Sequence, residues 1–209
     1  MNELFLFDRD KGLFKEILKQ SSVIKGSYHV SKNGGADLNA SNLDTYVKDP
    51  KNGLTDNKHY PICICLTPSS NLVNINDSKW ENFNFTLFFL TTNGTINNQI
   101  KALDKDTNTS ASHPWDDWSD MKQCAIDFLD MLMQVIQTKS SYGTRLGMLI
   151  NVDFKKSVIK RMTSYGNDNL NGVSLSFTVL MFTDSCVMKD YSSGALNSIV
   201  IPQLEIPTS

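Results

Sequence analysis

"NDNLNGVSLSFTVLMFTDSC", residues 167–186, decides how the chain is read. A run of turn formers from Gly166 to Gly172 leads into strict alternation. Val173, Leu175, Phe177, Val179 and Met181 fall on one side, with Ser174, Ser176 and Thr178 on the other. A period of two built from β-branched and aromatic residues is the pattern of a strand with one buried face. Past Thr178 the outer side turns apolar as well, at Leu180 and Phe182. The end of this strand is therefore expected to be covered, by the C-terminal tail or by a neighbouring chain.

Upstream, residues 145–154 alternate at Leu146, Met148, Ile150, Val152 and Phe154. "KKSVIKRM" (155–162) continues or restarts that strand with a basic outer face. Residues 114–138 change to helical spacing: Trp118, Met121, Ala125, Phe128, Leu132 and Val135 share one stripe. Ser112 can cap this helix, Pro114 suits its first turn, and Asp116 and Asp117 favour the positive end of its dipole. "HYPICICLT" (59–67) is a strand with Ile62, Ile64 and Leu66 on one side and Cys63 and Cys65 on the other. Both sides are apolar, which predicts a central strand covered on both faces. In "NFNFTLFFLTT" (82–92), Phe83, Phe85, Leu87 and Phe89 line one face while Asn84 and Thr86 alternate against them. "PSSNLVNINDSK" between these strands reads as a loop or loose hairpin tip, and 93–112 as a long loop.

Residues 10–20 read as a short helix burying Leu13, Phe14, Ile17 and Leu18, with Asp10 as its N-cap. Residues 26–58 form an extended polar loop or arm, and 187–209 a C-terminal arm ending in "LNSIVIPQLEIPTS". The order predicts one α+β domain over 1–209, its core at about 59–186. An antiparallel or mixed sheet carries one long and one short helix.

Composition narrows the function. Of 209 residues 40% are apolar, so a real core can form, and the net charge of −2 lacks the basic excess of a nucleic-acid binder. The start "MNELFLFDRDKG" is acidic where an export signal would be basic, and no stretch is long and apolar enough to span a membrane. Cys63, Cys65, Cys124 and Cys186 have neither zinc-ribbon nor redox-pair spacing, and read as buried free thiols. His29, His59 and His113 lie in or beside polar loops, with nothing tying one to a thiol. The glycines of "KNGGAD" lack the strand–helix frame of a phosphate loop. "HPWDDWSD" offers His113, Asp116, Asp117 and Asp120, which would hold a divalent metal or simply make an acidic, well-capped helix start. Lys155, Lys156, Lys160 and Arg161 would touch DNA phosphates in a channel, or pair with acidic residues of a neighbouring subunit, or form a solvated edge.

These segments in this order resemble a class of phage virion proteins. The resemblance runs over 59–186, at Tyr60-Pro61, Phe83 to Leu90, Met121 to Ile136, Thr163 to Gly172 and Asp184 to Cys186. The class is the tail-terminator or head–tail connector group of Bacteroidetes phages, including those of the crAss-like type. The resemblance implies a structural protein without catalysis or cofactor, placed in the neck or tail of a virion assembled in the bacterial cytoplasm. It implies a homo-oligomeric ring, six-fold or twelve-fold, closed by heterologous contacts. Its neighbours would be portal, connector, ring or tail-tube proteins, with non-specific contact to packaged DNA and none to a membrane. Two other readings stay open: a metal-dependent enzyme centred on Asp116, Asp117 and Asp120, and an adaptor carrying receptor-binding proteins on its loops.

Overall fold

A computed structural model describes residues 4–8, 12–24, 27–31, 60–92, 114–137, 150–165 and 170–183. Three helices and six strands make a mixed sheet with helices on one face, the α+β class expected. In chain order they are α1 (Leu4–Phe7), α2 (Leu13–Gln20), β1 (Tyr28–Val30), β2 (Ile62–Cys65), β3 (Ser69–Ile75), β4 (Ser78–Thr91), α3 (Pro114–Gln137), β5 (Ile150–Tyr165) and β6 (Leu170–Phe182). The sheet runs β1-β2-β4-β6-β5, and β3 pairs with β4 beside β2. Only β1 and β2 are parallel; the other pairs are antiparallel.

The alternation in β6 has the expected sense. Val173, Leu175, Phe177, Val179 and Met181 are all buried, and Ser174, Ser176 and Thr178 are half-buried. They face Phe83, Phe85, Leu87 and Phe89 of β4, also buried. The layer above is aromatic. Phe14 of α2 meets Phe85, Phe128 and Phe177 at ring centroids of 5.0, 5.2 and 5.8 Å. Helix α3 turns Met121, Ala125, Phe128, Leu132 and Val135 inward, all buried. Each large side chain so buried contributes about 1.5–3 kcal/mol relative to exposure. Trp118 is only half-buried, with the Lys122 ammonium 5.1 Å from its ring centroid.

Strand β2 lies between β1 and β4, and all four of its residues are buried, as double coverage requires. Its cysteines face the helices. Ile62 and Ile64 join Leu90 and Leu170 in a second, smaller core on the other face.

Four expectations need correction. The "loose hairpin tip" is an ordered strand: Ser69–Ile75 pairs residue for residue with Ser78–Asn84. Asn76 and Asp77 make the two-residue turn, both left-handed at φ 49° and 62°. That geometry matches the twist of a hairpin, and Asn and Asp tolerate it. The 26–58 segment includes strand β1, tied to β2 at Tyr28↔Cys63. Helix α2 begins at Leu13, and Gly12 is its N-cap without a side-chain hydrogen bond. Finally, Leu170 to Gly172 already belong to β6 rather than to the preceding turn. Asp10, Ser112, Leu146 and Met148, the loop at 93–112, most of the 26–58 arm and the 187–209 arm lie outside the described residues.

Candidate interaction surface

The four basic residues singled out from the sequence all lie on β5, an end strand of the sheet. A bulge divides them. Asp153 pairs with Thr178, but the next paired residue is Val158, opposite Ser176. Lys155 and Lys156 sit in the bulged segment, and Lys156 Nζ holds Asp153 Oδ2 at 3.0 Å. That lysine keeps the Asp153 carboxyl below the usual carboxylate range, chiefly through its hydrogen bond. Beyond the bulge, Lys160 pairs with Ser174 and Arg161 with Val173. Ser174 and Val173 lie on opposite faces of β6, so Lys160 and Arg161 also point to opposite faces. All four are exposed, yet they do not form one basic stripe.

The acidic candidates do not converge either. Asp117 is fully buried, and its Oδ2 accepts a hydrogen bond from Asn171 Nδ2 at 3.4 Å. Asn171 stands opposite Thr91 in the ladder, and both are buried. This polar group ties the start of α3 to the β4–β6 pair. Asp120 is half-buried. The side chain of Asp116, like His59 and His113, lies outside the described residues. Among the described residues no three His, Cys, Asp or Glu side chains gather as a metal site would require.

Cys63, Cys65 and Cys124 are free buried thiols, as read from their spacing; Cys186 lies outside the described residues. Burial pushes the Cys63 thiol well up, and the Cys65 and Cys124 thiols up to about 12 from 9.0. A hydrogen bond with the Tyr28 hydroxyl partly offsets the rise at Cys65. The sign of the pH dependence follows. Below pH 9 folded and unfolded thiols are both protonated, so stability is flat with respect to them. Between pH 9 and about 12 the unfolded thiols ionise and the folded ones do not. Stability should then fall by about 1.4 kcal/mol per pH unit for each thiol. Urea midpoints measured from pH 7 to pH 10.5 should hold level and then drop, and replacing Cys65 and Cys124 by alanine should shrink the drop.

What remains is surface. On the helix-free face three polar pairs span adjacent strands: Asn82 to Asn71 at 3.4 Å, Thr178 to Asn84 at 3.2 Å, and Thr86 with Ser176 at 3.2 Å. At one end of this ladder Trp80 meets Phe182 edge-on, centroids 5.2 Å apart. That contact partly covers the apolar outer end of β6 which the sequence marks as needing cover. Below it the β3–β4 hairpin carries Leu72, 74% exposed, and Ile75, 37% exposed. Val158 on β5 is the remaining large exposed apolar side chain among the described residues. The sequence reading allowed a loose hairpin tip here but not an ordered strand, because β3 is polar. The signal present was a two-residue Asn-Asp step between residues that alternate on both sides.

Among the described residues no helix is long and apolar enough to cross a membrane. Comparison of the chain with protein-family models, with curated proteins and with solved structures found no match.

Proposed function

We propose that the chain is a structural subunit of a bacteriophage neck or tail, which assembles into a ring around the DNA passage. One observation carries this reading. The sheet buries one face under helices and carries on the middle of the other a set of hydrogen-bonded Asn, Thr and Ser rungs, bordered by Trp80 and Phe182. Polar rungs of this kind hold the strands rigid while offering donors and acceptors to another surface. The segment order over 59–186, which resembles tail-terminator and connector proteins, supports the same reading. So does the placing of buried polar groups, which tie elements together: Asp117 to Asn171, and Tyr28 to Phe7.

In this role Lys155 and Lys160 serve a neighbouring subunit or the phosphates of passing DNA. The neighbours above and below are portal, connector, further ring or tail-tube proteins. The full chain, at 23.5 kDa, should elute as a multimer and appear as closed rings in averaged electron micrographs. It should also be found by mass spectrometry in purified virions. A 23.5 kDa species at every concentration, absent from particles, would remove the proposal.

A further inference from the structure

Among the described residues the three exposed large apolar side chains are not scattered. Leu72 and Ile75 sit on β3, and Val158 sits on β5. These strands form opposite lateral edges of the sheet, separated by β4 and β6. Exposed sheet edges are templates for pairing, and proteins that must stay apart blunt them with charge, proline or bulges. Ser69–Ile75 has none of these: seven residues in continuous register with β4, without a charged or proline side chain. The two-residue turn makes Ile75↔Ser78 a hydrogen-bonded pair, so Val73 and Asn71 also bond inward to β4. The backbone groups of Ser70, Leu72 and Asn74 therefore point away from β4, where no described strand lies.

The β5 edge is of the other kind. After its bulge, Val158 to Met162 runs in regular register with β6 and presents Lys160 and Arg161. Two such edges would repel each other. The uncharged β3 edge, on a hairpin that carries Asp77 and Glu81 against Lys79, would not. We infer that the free edge of β3 in one copy pairs with the Val158–Met162 edge of β5 in the next copy, joining their sheets head to tail. This rests on the ring reading and names its contact. Ile75 and Val158 both lie on the helix-free face and come onto one surface in the joined sheet, with Lys160 on that same face, whereas Leu72, paired with Glu81, lies on the helix side. The two edges sit at different heights along the sheet, which is the stagger that closing a cylinder of strands requires. A head-to-tail contact also leaves neither of these two edges open once the ring closes.

The test uses the full chain and native mass spectrometry over a range of concentrations. One variant blocks β3, with Leu72→Lys and Asn74→Pro; the second removes an outward N–H that β4 does not use. Another blocks β5, with Val158→Asp and Lys160→Glu. Both change exposed residues, and circular dichroism checks that each remains folded. Each variant alone should lose the multimer and run at 23.5 kDa, while an equal mixture should recover a one-to-one dimer, because each retains one intact edge. A multimer that survives the β3 block overturns the edge contact and leaves the ring standing. A multimer lost by the β3 block but kept by the β5 block shows β3 pairing with itself, and overturns the partner named here. A wild-type chain that is monomeric throughout overturns both.

Discussion

Replacing Phe85 by alanine should lower the unfolding free energy by about 3–5 kcal/mol, the largest loss expected from any single side chain in this fold. Phe85 is 1% exposed and lies at the centre of β4. Its ring meets Phe14 at 5.0 Å, Phe177 at 5.6 Å, Phe7 at 5.8 Å and Phe83 at 6.1 Å between centroids. It therefore touches α1, α2 and β6 at once, and truncation leaves a cavity that three separate elements would have to close. Rigid rings on a sheet collapse poorly into such a space, so the cost should lie toward the upper part of the range. A domain stabilised by about 5–15 kcal/mol in total would become marginal. Urea denaturation followed by circular dichroism gives the number. Thr86→Ala is the internal comparison: the next residue along, on the opposite face, its hydroxyl bonded to that of Ser176. That change should cost about 1 kcal/mol. Equal losses for the two would mean that the aromatic cluster does not anchor the helices to the sheet.

The core was legible because its period is clean. Over Val173–Phe182 of β6 and Phe83–Phe89 of β4 the burial alternates residue by residue as the apolar pattern does, and α3 buries the stripe its spacing predicts except at the half-buried Trp118. Strand β2 could be recognised as doubly covered because both of its phases are apolar. The failures share a cause. Strand β3 buries almost nothing, so it leaves no hydrophobic period, and only its turn residues mark it. Strand β1 has three residues, too few for any period to show. The basic residues of β5 were read as one outer face, on a segment that continues or restarts the strand, without the bulge that separates them. From Asp153 to Val158 the strand advances five residues while β6 advances two, and this inverts the phase. Lys155 and Lys160 can be placed only once that bulge is known, since a bulge depends on the partner strand as much as on local sequence. The acidic helix start was ambiguous for a related reason. Nothing local distinguishes a carboxylate turned to solvent from one turned onto Asn171, fifty-four positions away.

Gly172 gives the second large effect, and the reason differs from the one its setting suggests. It closes a run of turn formers, which invites the view that a glycine is there for turn geometry. Yet Gly172 is buried within β6, opposite Leu90 on one side and Met162 on the other. A Cβ at this position would lie well inside contact with the Phe89 carbonyl oxygen, 3.0 Å from its carbon and 3.1 Å from Leu90 Cα. All three are backbone atoms of the adjacent strand, so no side chain can swing aside. Strand β4 cannot retreat, because its far edge is bonded to β2 through Leu90↔Ile62 and Phe89↔Cys63. Gly172→Ala should therefore cost about 3 kcal/mol, at the upper end of overpacking penalties. It should also disturb the neighbouring Asn171, and with it the hydrogen bond to Asp117. Amide exchange should show the damage locally, with Phe89 to Thr91 losing protection before the rest of β4. Ser174→Ala, two residues along on the same face of β6, supplies the comparison and should cost less than about 1 kcal/mol. If alanine is tolerated as well at 172 as at 174, the strands do not approach as closely as the ladder here requires. The glycine would then serve the turn after all.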